Sequence, residues 1–400
     1  GRENQREYRV LDLDQEETPV DKEGYFLIKS FNEKDKSEGY HKLDLDSGSL
    51  TLLYSGPYQL NRRPTKSRDS DILLTTKQSF DIFPDLILTN TSLTKRQTIS
   101  NANPQQNEYK WGDVQLYSWP TYDDKKGDGL LFFPEGFDKN KKYPLLVNFY
   151  ERSSDGLHRH RAPYAHRSTI NFTYYLSKGF VIFNPDIYYR IGEPGQSCYD
   201  AVVSGVEALI AEGYIDSDNI GVQGHSWGGY QIADMLTKTD LFKCAESGAP
   251  VVNMISAYGG IRWGSGRSRM FQYEETQSRL GATLWEKPDL YLKNSPIFNM
   301  DKMNTPVLIL HNDHDGAVPW YQGIEYFNAL RRLGKPAWFL NYNGEPHWPI
   351  KWQNKIDFNI RMEQFFDHFL LGENMPVWMS KGVSPMQKGI EQGLELEDNK

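Results

Sequence analysis

Residues 224–229 read Gly-His-Ser-Trp-Gly-Gly, the sole Gly-x-Ser-x-Gly in the chain. A strand-like run at 219–224 leads into it, and a helical stretch at 229–239 follows. A serine on such a strand-to-helix turn is held in a strained conformation, with its hydroxyl pushed above the sheet. There the free N–H groups and dipole of the helix favour negative charge. The positions around it must be small, and Gly224, Gly228 and Gly229 meet that demand. The plain alternative is a Ser226 that only caps a helix. A serine hydroxyl is inert at its free pKa, so Ser226 would need a base to take its proton and a third group to orient that base.

Four histidines follow Ser226: His311, His314, His347 and His368. His368 falls inside an amphipathic helical stretch at 353–372, and His311 closes a strand at 305–311. His314 shares the loop expected to carry the acid. His347 lies just past the last strand, in the Gly/Pro loop Asn-Gly-Glu-Pro-His-Trp at 343–348, and is the positional match for a base. In the loop 312–320, Asp313 and Asp315 both qualify as the orienting acid. The Gly316 turn and the apolar residues 317–319 favour Asp315, leaving Asp313 as an exposed loop carboxylate. The expected roles are Ser226 as nucleophile, His347 as general base and Asp315 as the group that fixes the tautomer of His347. An oxyanion hole needs two donors, and the backbone N–H of Trp227 is one. The second should come from the loop after the strand at 144–150, where no His-Gly-Gly-Gly run exists. The sequence there is Tyr150-Glu151-Arg152-Ser153-Ser154. Tyr150 is either a hydroxyl standing in for the missing amide or an ordinary strand-end aromatic.

These residues must be placed by the second half of the chain. Strands are expected at 129–134, 144–150, 179–185, 219–224, 305–311 and 337–343. Helices are expected at 166–178, 198–213, 229–239, 321–334 and 353–372. Apolar strands alternating with amphipathic helices imply a mainly parallel sheet covered on both faces, with its site at the carboxyl ends of the strands. The fold class expected is α/β, an α/β-hydrolase domain. Residues 1–110 have another rhythm, with short strands at 24–31, 40–45, 50–55, 71–77, 84–90 and 96–100 and no helical period. They are expected to be antiparallel and all-β. The polar segment 101–115 is the expected boundary, giving an all-β segment at 1–110, a catalytic domain at 111–373 and a tail at 374–400.

A net charge of -8 without a Lys/Arg block excludes a nucleic-acid or anionic-membrane partner from the expectation. No apolar run approaches the ~18 residues of a membrane helix. The composition is that of an ordinary soluble globular chain. Cys198 and Cys244 are too few for a disulfide framework and are expected as small buried side chains. No His-Glu-x-x-His and no P-loop occurs, so no metal or cofactor is expected. The chain opens Gly-Arg-Glu-Asn without an initiator Met, which leads to the expectation of a piece of something longer.

From about Trp111 to Leu371 the sequence resembles the catalytic half of the prolyl oligopeptidase family of serine peptidases, including its dipeptidyl and acylaminoacyl peptidase branches. The resemblance runs through residues 129–150, 224–230, 243–251, 305–323 and 343–348. It implies that the acid is the fourth residue after the strand-end histidine, Asp315. It implies too that Tyr150 matches a tyrosine whose hydroxyl enters the oxyanion hole in the dipeptidyl peptidases. In that family a β-propeller precedes the hydrolase domain as a lid, and residues 1–110 resemble its last blade or two. Three departures bear on specificity. The loop after Tyr150 is Glu-Arg-Ser-Ser-Asp-Gly rather than a Gly-Pro turn, and Trp227 replaces the commoner Tyr or Asn. Ala317 stands at the position of a substrate-binding asparagine, and no paired glutamates for a free amino terminus are matched. Residues 251–273 lie where the family builds its specificity pocket. Met254, Tyr258 and Trp263 are candidate walls there, and Arg262, Arg267 and Arg269 are candidates to meet a carboxylate. The leading expectation is a peptidase acting on a peptide substrate through an acyl-enzyme. The alternatives are an esterase of the same fold or a non-catalytic binding module.

Overall fold

The computed structural model describes residues 3, 5–11, 13 and 24–398. The chain separates into two compact units: residues 1–116 with 154–162, and residues 117–153 with 163–400. The segment 154–162 thus belongs to the first unit although it follows the first strands of the second.

The first unit holds two antiparallel sheets among its described residues. One consists of β1 (Arg6–Val10), β2 (Tyr25–Asn32), β3 (Glu38–Asp44) and β4 (Leu50–Gly56), paired in chain order. The other contains β5 (Gln59–Leu60), β6 (Thr65–Lys66), β7 (Leu73–Gln78), β8 (Leu86–Thr89) and β9 (Gln97–Thr98). The turn between β3 and β4 closes because the Asp44 carboxylate accepts bonds from the Ser47 amide and hydroxyl at 2.9 and 2.8 Å. Leu27, Tyr40, Leu60, Leu73 and Leu93 form the core. Within it, buried Lys29 pairs with Glu38 at 2.7 Å and donates to the Leu60 carbonyl. A chain-order meander of short antiparallel strands is the architecture of a propeller blade, as expected for an all-β, propeller-like segment.

In the second unit the expected α/β architecture is present. Its strands are β10 (Asp113–Pro120), β11 (Lys126–Phe133), β12 (Tyr143–Asn148), β13 (Val181–Pro185), β14 (Ile215–His225), β15 (Cys244–Gly248), β18 (Val307–Leu310) and β19 (Ala337–Leu340). The hairpin β16 (Ile261–Arg262) and β17 (Arg267–Ser268) lies outside the main sheet. The sheet order is β10-β11-β13-β12-β14-β15-β18-β19, with β11 antiparallel to β13 and all pairings from β13 to β19 parallel. Among the described residues the α-helices are α1 (Phe172–Ser177), α2 (Pro194–Ala211), α3 (Trp227–Met235), α4 (Met254–Tyr258), α5 (Met270–Glu274), α6 (Pro288–Lys293), α7 (Tyr321–Arg332), α8 (Trp352–Phe366) and α9 (Val377–Ser380). Among the described residues no helix is long and apolar enough to cross a membrane. Parallel strands covered on both faces must be apolar throughout, and Leu145, Leu146, Val147, Val181, Ile182 and Phe183 are all fully buried. Each such side chain contributes about 1.5–3 kcal/mol by leaving water. The order reverses at β12, so the crevice for a site opens beyond the carboxyl ends of the central strands.

Strand β15 carries no strand-like pattern, since Cys-Ala-Glu-Ser-Gly has neither β-branched residues nor alternation. It forms because β14 and β18 flank it on both edges. Its Glu246 is fully buried and accepts a 2.7 Å bond from Gln223 Nε2. Burial pushes this carboxyl up to about 8, against the Gln223 bond, which favours the charged form. In the unfolded chain the same group titrates near 4.5, so between these values only the native state keeps the proton. Stability therefore falls as pH rises through that window. Glu246→Gln is expected to raise the melting temperature at about pH 8 by several degrees and to leave it unchanged near pH 4.5. An equal gain at both pH values would contradict this reading of Glu246.

Candidate active site

Strand β14 ends at His225, and α3 begins at Trp227, leaving Ser226 alone at the corner. Its backbone has φ 61 and ψ -115, a conformation that costs a non-glycine residue about 1–3 kcal/mol. Two backbone bonds hold it there: the Ser226 N–H donates to Gly248 O at 2.7 Å, and the Tyr230 N–H donates to Ser226 O at 3.0 Å. The glycines are needed for close approach. A Cβ on Gly228 would lie 2.8 Å from the Phe149 carbonyl oxygen, and one on Gly229 would fall onto the Gly248 carbonyl oxygen. Ser226 is half-buried, so its hydroxyl stays accessible at the amino end of α3.

The loops after β18 and β19 bring an aspartate and a histidine together. His347 Nδ1 lies 2.6 Å from Asp315 Oδ2. The other Asp315 oxygen accepts the backbone N–H groups of Ala317 and Val318 at 2.7 and 2.8 Å. Burial alone would raise the Asp315 pKa, but hydrogen bonds from His311 and His347 hold it well below the usual carboxylate range. An ionised carboxylate only accepts, so His347 must donate from Nδ1 and keep its lone pair on Nε2. That is the tautomer a general base needs.

The base is fixed by its surroundings. Asn312 Nδ2 donates to Pro346 O at 2.9 Å. The Glu345 carboxylate, fully buried, accepts the N–H groups of Ile350 and Lys351. Asp313 accepts the Gly344 N–H at 2.7 Å and the Asn343 amide at 2.8 Å, so this loop carboxylate clamps the turn before His347. On one side His347 meets the ring of His225 at 4.8 Å, edge to face, and on another that of Trp348 at 5.2 Å. Burial, then the neighbouring His347, pushes the His225 pKa well down, so His225 is a neutral wall.

Tyr150 follows β12 by two residues. Its hydroxyl accepts a 2.8 Å bond from Gln277 Nε2, and its ring lies against Gly228, two residues past Ser226. Burial raises its pKa, so the phenol stays protonated as a donor. Trp227 turns its indole away from the corner, donating to the Tyr189 hydroxyl at 3.0 Å and stacking on Tyr230. Its backbone N–H, in the first turn of α3, has no partner within the helix.

The structure thus gathers Ser226, Tyr150 and Trp227 at one corner, and joins Asp315 to His347. The candidate pocket walls are placed differently. Met254 and Tyr258 are enclosed in an aromatic cluster with Tyr273 and Tyr291, at 0% and 1% exposure, and Tyr258 donates to Glu274 at 2.6 Å. Their apolar surface is spent on α4 and α5 packing rather than on an open wall. Trp263 sits at the tip of the β16–β17 hairpin, 72% exposed. Sequence reasoning passed over His311 and Gln277. His311 Nε2, fully buried, lies 3.2 Å from both Asp315 Oδ2 and the Val318 carbonyl oxygen. Its signal was its place four residues before Asp315; Gln277, in an irregular loop, carried none.

A mainly parallel eight-stranded sheet whose central strand ends in a strained serine defines the α/β-hydrolase fold. Within it, the chain belongs to the prolyl oligopeptidase family, whose model matches residues 173–373. The chain is 25% identical over 323 residues to a probable dipeptidyl-peptidase 5 of Aspergillus flavus, covering 76% of this chain and 40% of that protein. It is 23% identical over 384 residues to dipeptidyl-peptidase 5 of Porphyromonas gingivalis, covering 88% and 51%. The crystal structure of Porphyromonas gingivalis dipeptidyl peptidase 4 superimposes with a TM-score of 0.71 at 19% identity, covering 91% of this chain and 50% of that one. The chain therefore spans about half or less of the length of these relatives.

Proposed function

We propose that the chain is the catalytic part of a serine peptidase in which Ser226 attacks a peptide carbonyl. His347 takes the Ser226 proton through Nε2, and Asp315 holds the imidazole and stabilises its charged form. The carbonyl oxygen, now an oxyanion, receives bonds from the Tyr150 hydroxyl and the Trp227 N–H. His347 returns the proton to the leaving amine, an ester forms on Ser226, and the same steps in reverse order with water release the acid. The observation that supports this reading best is the strained Ser226 corner, packed through Gly228 against Phe149 and the ring of Tyr150, whose hydroxyl stays protonated. The bond from Gln277 fills an acceptor site on that oxygen, leaving its own hydrogen for the substrate.

Kinetics on p-nitrophenyl esters and peptidyl p-nitroanilides test the reaction class. A peptidase cleaves both; cleavage of the esters alone would support the esterase instead. Tyr150→Phe removes one oxyanion donor and keeps the ring, so kcat for an anilide is expected to fall about 10²–10³-fold with little change in KM. A change in KM alone would make Tyr150 a substrate contact rather than an oxyanion donor.

A further inference from the structure

Three buried or half-buried arginines of the catalytic unit meet carboxylates. Arg190 meets Asp123, Glu193 and Asp200, Arg279 meets Glu151, and Arg361 meets Asp357. Arg262 and Arg269, side by side at the β16–β17 hairpin, differ from these three: among the described residues neither has a carboxylate within ion-pair distance. Arg269 is 3% exposed, bonds through Nη1 to the carbonyl of Ala317, and leaves its buried Nε without a partner. Arg262 is half-buried, and among the described residues its guanidinium makes one hydrogen bond, from Nη2 to Gln272 Oε1 at 2.8 Å. An unmatched buried cation is costly, and two in one place are costlier, because each repels the other.

Their position explains what could offset this. From Arg262 a relay of side chains runs towards the nucleophile. Gln272 Nε2 donates to Gln277 Oε1 at 2.5 Å, Gln277 donates to the Tyr150 hydroxyl, and the Tyr150 ring lies against Gly228 in the corner that carries Ser226. The hairpin bearing Arg262 is tied to the loop of Asp315 by the Gly264 N–H, 3.4 Å from Gly316 O. Arg269 reaches Ala317, two residues beyond Asp315, where the side chain is only a methyl group. The Asp315 charge acts on Arg262 only from a distance, since its oxygens face His311, His347 and two backbone amides and bond to neither guanidinium.

We propose that Arg262 and Arg269 form a subsite for a substrate carboxylate beside Ser226. A guanidinium fork suits a carboxylate because it offers two parallel N–H donors. The carboxylate can belong to an acidic side chain next to the scissile bond or to the carboxyl end of a short peptide. This rests on the serine peptidase reading, and the test separates the two.

The measurement is kcat/KM for acetyl-Ala-Glu-aminomethylcoumarin against its Gln counterpart, and for a short peptide with a free carboxyl end against its amide. A preference of about tenfold or more for the charged member of one pair is expected, the worth of one charge-assisted hydrogen bond. The first pair identifies a side-chain carboxylate and the second a chain-end carboxylate. Arg262→Met is expected to bring that ratio to about one, and Arg262→Lys to restore part of it. Melting curves show whether each variant is folded. Equal loss on both members of a pair would mean that Arg262 contacts only the neutral peptide, and would overturn the proposal. So would the absence of a charge preference in both pairs. Fluorophosphonate labelling of the wild-type chain marks the other failure: labelled Ser226 without charge preference sinks the subsite alone, whereas no labelling sinks the peptidase reading beneath it.

Discussion

Ser226→Ala is expected to lower kcat for a peptidyl anilide by about 10⁶-fold, to the level left by binding and oxyanion contacts alone. The size follows from what the hydroxyl does. With it gone, His347 has no proton to take and no acyl-enzyme forms, so any remaining hydrolysis must use water that no residue is built to hold. The corner itself should survive. Its backbone bonds, from the Ser226 N–H to Gly248 O and from the Tyr230 N–H to Ser226 O, involve no side chain. Steady-state rates of purified wild type and variant, with melting curves to show that both fold, decide the matter. A loss of less than about tenfold would remove Ser226 from the chemistry.

Asp315→Asn should cost about 10⁴-fold in kcat, for a reason readable in its hydrogen bonds. One oxygen of Asp315 accepts the N–H groups of Ala317 and Val318, which an asparagine carbonyl oxygen can still do. The amide NH₂ then faces His347, where the carboxylate oxygen stood. A donor in that place turns the Nδ1 lone pair of His347 towards it and moves the ring proton to Nε2. In the proposed mechanism His347 then offers Ser226 a proton instead of a lone pair. The loss should therefore appear in kcat with KM little changed, and it should shrink at high pH, where hydroxide can replace the missing base. Asp313→Asn is the control, because Asp313 clamps the turn at Gly344 and does not touch the imidazole. If both variants lose activity equally, the loop and not the charge on Asp315 is what matters.

Much of the catalytic unit is legible in the sequence because parallel strands need unbroken apolar runs, and those at 144–150, 179–185 and 305–311 correspond to β12, β13 and β18. The corner at Ser226 is legible because only glycine fits beneath the Phe149 and Gly248 carbonyls. Strand β15 is not, since its neighbours and not its own composition make it a strand. Residues 154–162 pack with the first unit through contacts distant in sequence, such as Lys36 Nζ to Asp155 Oδ1 at 3.0 Å, which no local pattern announces. Met254 and Tyr258 have the composition of a pocket wall, but a large apolar side chain looks alike whether it lines a cleft or fills a core. Gln277 and His311 matter through partners on other loops. A single glutamine in an irregular segment gives no hint that it holds the Tyr150 hydroxyl, nor does a strand-end histidine that it lies between Asp315 and the Val318 carbonyl.

Everything proposed here turns on one oxygen atom being the nucleophile. Treating the folded chain with a fluorophosphonate and mapping the adduct by mass spectrometry locates that atom. The modified peptide should be the one containing residues 224–229, with the phosphonyl group on Ser226. An adduct on another residue, or none on the folded chain, would contradict the account.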